Sequence, residues 1–197
     1  MKLLIAKGIS NILSAFAVVI ESTFILAYLG TSNLGSALQW TVISVVIILL
    51  LLIVVYYFVR KGKFSDLDVS TQKQRPLLFA LDFIFAAIYL SALYILHAPR
   101  ELFLGNIAVF LAVAVLVVVN KFIKASVHMA ILSGSLTLFV FLGGTAYLWG
   151  FILIPILAWA RLTTKRHTLN EVIAGTIIGL LTSGATFLVF QILISPK

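Results

Sequence analysis

The sequence predicts an all-α, polytopic integral membrane helix bundle with about seven transmembrane spans. Three observations carry this expectation. The 197 residues are 62% hydrophobic and 10% charged, with a mean hydropathy of +1.20. Apolar runs of roughly 20 residues, the length that crosses a bilayer core as a helix, recur along the chain. Nearly all Lys and Arg fall in the breaks between these runs, where they set topology or meet anionic headgroups. A formal charge of +8 would suggest a nucleic-acid partner in a soluble protein; lodged between membrane spans it does not, and no nucleic acid is expected. Cysteine is absent, which removes disulfides, iron–sulfur clusters and thiolate zinc sites.

The apolar segments are 8–30, 38–59, 77–97, 102–120, 127–142, 146–160 and 171–193, and the whole chain, 1–197, reads as one membrane domain. The first is expected to stay as a membrane helix rather than be cleaved as a signal peptide. It is long, contains Glu21 and lacks a small-residue cleavage site before the polar turn at Thr31 to Asn33. The fifth and sixth segments are short, roughly 24 Å each as helices, whereas one helix over 127–160 would run roughly 50 Å. A tight hairpin turning at Gly143 and Gly144 is therefore expected, with Pro155 bending its second arm.

This assignment puts the N-terminus and the breaks after spans two, four and six on one face. With Arg75, Lys124 and Arg161 set aside as candidate site residues, that face keeps nine Lys and Arg, against Arg100 and Lys197 on the other. The positive-inside rule makes it the cytoplasmic face. We expect an integral protein of a prokaryotic plasma membrane.

Three breaks on that face carry reactive side chains: SDLDVSTQKQRP, ending in Arg75 and Pro76; KFIKASVH, ending in His128; and ARLTTKRHTLNE, holding Arg161, His167 and Glu171. Topology alone asks for Lys and Arg, not for two histidines and an acid. Arginine offers a planar fork of donors that matches phosphate oxygens. Histidine can attack phosphorus or protonate a leaving oxygen near neutral pH. Glu171, four residues after His167, lies within reach of its imidazole if a helix starts there. Thr168 and Glu171 also form a capping box, which explains the pair as a helix start without chemistry.

These residues resemble the type 2 phosphatidic acid phosphatase superfamily, which includes the vanadium haloperoxidases. Its signature has three parts: Lys, six residues, Arg-Pro; Pro-Ser-Gly-His; and Ser-Arg, five residues, His, three residues, Asp. Here Arg75 and Pro76 match the first, Ser126 and His128 the second, and Arg161, His167 and Glu171 the third, and the resemblance covers about 60–193, with 1–59 as two additional N-terminal spans. The chain departs at Asp68, where the family has lysine, and at Ala125, Val127, Ala160 and Glu171. Lys124 and Lys73 are placed to restore the missing positive charge.

The resemblance implies a membrane lipid phosphatase acting through a phosphohistidine, without a metal or other cofactor. His167 would be the nucleophile, Glu171 its orienting carboxylate and His128 the acid for the leaving group. Arg75, Arg161, Lys124 and Ser126 would bind the phosphate. The implied substrate is a lipid phosphomonoester or a lipid or polyprenyl diphosphate whose chain stays in the bilayer. The alternatives are a non-catalytic phospholipid-binding or scaffold relative and, less favoured, a small transporter, to which Glu21 and Gly143–Gly144 lend support. Asp66 and Asp68 lack a third ligand at a metal-binding spacing. Asp82 is expected to make an internal hydrogen bond, with pairing to a base on the nearby site face as the less favoured alternative, and His97, on the opposite face, is expected to be structural.

Overall fold

The computed structural model describes residues 1–194, and side chains through 192. Lys197, counted above on the far face, lies outside them. Eight α-helices follow in order: α1 (Lys2–Ile12), α2 (Ala15–Thr31), α3 (Leu34–Arg60), α4 (Arg75–Ile95), α5 (Arg100–Val119), α6 (Val127–Gly143), α7 (Leu153–Thr163) and α8 (Leu169–Ile194). No strand occurs among the described residues. Five helical stretches are long and apolar enough to cross a membrane: α3, α4, α5, α8, and α7 together with the 3₁₀ turns that precede it. The α1–α2 pair adds a sixth, and α6, at 17 residues, is a shorter apolar helix.

Two of these elements differ from the sequence expectation. The first apolar stretch begins at Lys2 and is two helices meeting at 44°. The break falls at Leu13–Ser14 because the Ser14 side chain accepts from the Ala17 N–H at 3.2 Å and starts a new helix. The hairpin does turn at Gly143 and Gly144, where Gly144 has φ +92, a conformation that suits a residue without Cβ. Pro155 is the third residue of α7, where its missing N–H costs no bond within that helix. The second arm begins as the 3₁₀ turns of Thr145–Ile152, which run on into α7, instead of as one α-helix.

Helix α6 is the most enclosed, and α8 packs closely along it. In lipid, apolar side chains gain little by leaving the hydrocarbon for a neighbouring helix, so close backbone approach and interhelical hydrogen bonds hold helices together. Gly175 faces the Ser126 carbonyl and Gly179 faces the Ala130 carbonyl, at separations that leave no room for a Cβ. Ser133 Oγ donates to the Thr176 carbonyl at 3.0 Å. On the other side of α6, Ser22 Oγ of α2 donates to Ser135 Oγ at 2.8 Å, and Thr23 Oγ1 donates to Ser44 Oγ of α3 at 3.1 Å. Glycines and hydroxyls thus fix α2, α3, α6 and α8 together, and the registration they impose sets the polar end of the bundle.

Candidate phosphate site

The N-termini of α4, α6 and α8 and the C-terminus of α7 come together at one end of the bundle. Arg75 is the first residue of α4, His128 the second of α6, Arg161 lies near the end of α7 and Glu171 is in the first turn of α8. The N–H groups at a helix start favour negative charge nearby, so three such starts add to the field of the arginines.

The structure places every candidate site residue in this cluster. Arg75 and Arg161 are each only 3% exposed, deep enough that an unbalanced charge is costly. Arg75 donates from Nη1 to the Ala125 carbonyl at 2.7 Å and from Nε to the Val69 carbonyl at 3.3 Å. It meets no carboxylate within ion-pair distance among the described residues. Arg161 Nη1 donates to Ser10 Oγ at 2.7 Å and to Asp68 Oδ2 at 3.3 Å, and lies 3.5 Å from His128 Nε2. Its Nε has no partner, and neither does the fully buried Ser126 Oγ. Of the two buried guanidinium groups only Arg161 is paired with a carboxylate, and unpartnered polar atoms lie beside them.

His167 sits in the loop between α7 and α8, with Nδ1 2.8 Å from Glu171 Oε2. A carboxylate there accepts the Nδ1 proton and leaves the lone pair on Nε2, the atom that would attack phosphorus. Burial pushes the His167 pKa down to about 2, helped by the charges of Arg161, Arg75 and Lys124. The imidazole is thus neutral and unprotonated at Nε2 throughout the working pH range. The same Glu171 oxygen accepts from the Thr168 N–H at 3.2 Å, while the Glu171 N–H donates to Thr168 Oγ1 at 3.4 Å. Orientation of the histidine and the capping box coexist on one side chain.

Lys124 makes no contact with the buried guanidinium groups among the described residues. Its Nζ donates to the Arg166 carbonyl at 2.9 Å and lies 3.9 Å from Glu171 Oε2, so it braces the loop that carries His167. Burial pushes its pKa down against the opposing pull of Glu171.

Sequence reasoning missed the rest of the shell. Ser10 comes from α1, 151 positions before Arg161, and nothing in its surroundings marks it. Asp68, at the family lysine position, enters the site itself. Besides Arg161, it lies 3.6 Å from Arg166 Nη1 and 3.9 Å from His128 Nε2. Asp66 is spent on its own loop: it accepts from Ser65 Oγ, the Asp68 N–H and both donors of Ser70, and pairs with Arg166 at 3.1 Å. Burial raises its pKa, but those hydrogen bonds and the Arg166 charge outweigh burial and hold it below the usual carboxylate range. Asp82 pairs with no base, and His97 is exposed at the turn between α4 and α5. Among the described residues no group of three or more His, Asp or Glu is arranged to hold a metal ion. Compared with protein-family models, curated proteins and solved structures, the chain matches none.

Proposed function

We propose that this protein is a membrane lipid phosphatase that hydrolyses a lipid phosphomonoester or diphosphate on the cytoplasmic face of a prokaryotic plasma membrane. The observation that carries the reading is the His167–Glu171 contact beside two buried arginines, of which only Arg161 pairs with a carboxylate, that of Asp68. Arg75 and Arg161 would hold the phosphoryl oxygens and offset charge that develops on them in the transition state. His167 Nε2 attacks phosphorus, the bond to the leaving oxygen breaks, and that oxygen takes a proton from His128. Water then attacks the phosphohistidine, gives its proton to His128, and releases phosphate with His167 restored. A substrate anchored in the bilayer arrives with its headgroup already near the helix ends, which lowers the entropic cost of alignment.

Asp68 favours a second reading. Its carboxylate occupies an anion position in the cradle, and the charge is opposite to that of the family lysine, as a non-catalytic phospholipid-binding relative would allow. In the catalytic reading a phosphate displaces Asp68 from Arg161. Purified protein assayed for phosphate release from lipid phosphates, in the presence of chelator, separates the two. Release that disappears in His167→Ala supports the phosphatase. No release from either protein, with lipid phosphate still bound, supports the second reading; equal release from both removes His167 from the chemistry.

A further inference from the structure

Beneath the polar cluster lies a cavity of about 150 Å³ that shares Asp68, Arg75 and His128 with it. The cavity runs down between α3, α4, α5 and α6, and its wall is mainly apolar: Ile47, Leu51, Phe85, Val109, Val113 and Ile131 are among the lining residues. A cavity of that volume with aliphatic and aromatic walls accepts apolar guests and resists water. Along α4 it extends from Arg75 to Tyr89, roughly 20 Å at 1.5 Å per residue. At about 150 Å³ it holds a guest the size of benzene, a short section of one hydrocarbon chain.

Its far end is different. Tyr89, Asn106 and Ser44 line it there, with the Tyr89 hydroxyl and Asn106 Oδ1 already buried. The apolar bore thus lies between Arg75 above and these polar residues roughly 20 Å below.

We propose that this cavity binds a section of the hydrocarbon chain of the lipid phosphate whose headgroup occupies the Arg75–Arg161 cradle. The inference rests on the phosphate reading of the site. Continuity supports it, because the residues that close the top of the bore are those that would hold the phosphate. The N-terminal spans gain a purpose from it as well. Ala15, Phe16 and Val19 of α2 and Ser44 to Leu51 of α3 close one side of the bore, so the part of the chain outside the family resemblance forms the wall of the chain site. One group in the path is unfavourable: Asp82, roughly 10 Å below Arg75, lines the bore and has no hydrogen-bond partner among the described residues. A chain passing it must desolvate a carboxyl group.

The test labels purified full-length His167→Ala protein with a long-chain monoalkyl phosphate carrying a diazirine midway along the chain, and maps the adducts by mass spectrometry. Adducts are expected on Phe85, Val109 and Val113, whereas adducts confined to the outward-facing Ile84 and Ile88 would overturn the chain site. In Ala86→Trp, which puts an indole into the bore, labelling should fall about tenfold or more, the effect of denying the chain two buried methylenes. Asp82→Asn, the same size without the charge, should raise labelling; a fall would mark the cavity as a hydrated polar channel and overturn the proposal. Two competitors separate this inference from the phosphate reading. A short-chain alkyl phosphate that competes as well as the long-chain one shows that the chain adds nothing, and the inference fails while the phosphate site stands. A long-chain alcohol that competes as well as the phosphate shows that the cradle adds nothing, so the phosphate reading fails and with it this inference.

Discussion

His128 and Glu171 are carried by α6 and α8, whose backbones approach closely at Gly175 and Gly179, with His167 in the short loop ahead of α8, whereas Asp66 and Asp68 belong to the 61–74 segment, an irregular stretch anchored by the buried Phe64 and Val69 and by ion pairs over the site. The contrast extends to solvent. His128 and His167 are buried, while the side chains of Asp66, Asp68 and Arg166 stay 30–41% exposed. Charges that exposed are screened, and pairs between them contribute about 1 kcal/mol or less. The groups that would react are therefore fixed by packing, whereas Asp68, the carboxylate in the anion position, is half-exposed and pairs with the buried Arg161 and the exposed Arg166. The proposed chemistry sits on the enclosed part and Asp68, where the resembled family has lysine, on the more open part.

The contrast breaks hardest at the rigid half. His167→Ala is expected to lower phosphate release by about 10³-fold or more, since no other group supplies the nucleophile. Gly175→Leu should be equally damaging for a different reason: a side chain there collides with the Ser126 carbonyl and forces α8 off α6. Thermal unfolding in detergent distinguishes them, with the midpoint kept in the first variant and lowered by several degrees in the second. Glu171→Gln divides the two duties of one side chain. Glutamine still serves a capping box, so the midpoint should hold, while release falls about 10²-fold for want of a charged acceptor at His167 Nδ1. A large loss of stability with release intact would leave Glu171 as a helix cap alone.

The His167 site also predicts a pH dependence. The folded protein keeps the imidazole neutral down to about 2, while in the unfolded chain it takes a proton near its ordinary 6.5. Between those values the unfolded state binds more protons, so stability declines as the pH falls below 6.5, by up to about 1.4 kcal/mol per pH unit for this one group. Midpoints measured from pH 7.5 downward should show that decline in the wild type and a shallower one in His167→Gln. On the yielding half the effect is smaller and of opposite sign. Asp68→Asn frees Arg161 and should tighten binding of a lipid phosphate about fivefold, roughly 1 kcal/mol for a competing carboxylate that is itself half-exposed.

Much of this arrangement could be read from residue order. Two histidines and two arginines at fixed intervals, each beside a span of known parity, had to meet at one face once the hairpin at Gly143 and Gly144 was recognised. Ser14 ahead of Ala15 is a helix-start signal and could have revealed the break in the first stretch. Ser10 could not have been found, because a serine in an apolar helix looks the same whether or not an arginine 151 positions away chooses it. The two duties of Glu171 could not be ranked either. Spacings of three and four residues point to the same helical face, and only coordinates show one oxygen serving both. Asp68 was visible as a charge reversal, but its position depends on how a loop without regular structure folds back, and local pattern does not encode that.

That fold-back has its own weak point at Val69. It is a β-branched residue at φ +44, a conformation such side chains rarely adopt, with a strain of about 1–3 kcal/mol. Two contacts hold it there: its carbonyl accepts from Arg75 Nε, and its side chain is fully buried in a cluster with Leu51, Val55, Phe64 and Leu78. Val69→Gly removes a buried side chain, at a cost of about 1.5–3 kcal/mol, and relieves strain of similar size. The midpoint should therefore move little, by the equivalent of about 1 kcal/mol. Val55→Gly takes the same side chain from the same cluster but out of a helix, where no strain is relieved and glycine costs about 1 kcal/mol more. Its midpoint should drop well below that of Val69→Gly. Equal drops would mean that the loop rests unstrained over the site, and Asp68 would then be a fixed part of the cradle instead of a carboxylate that yields to phosphate.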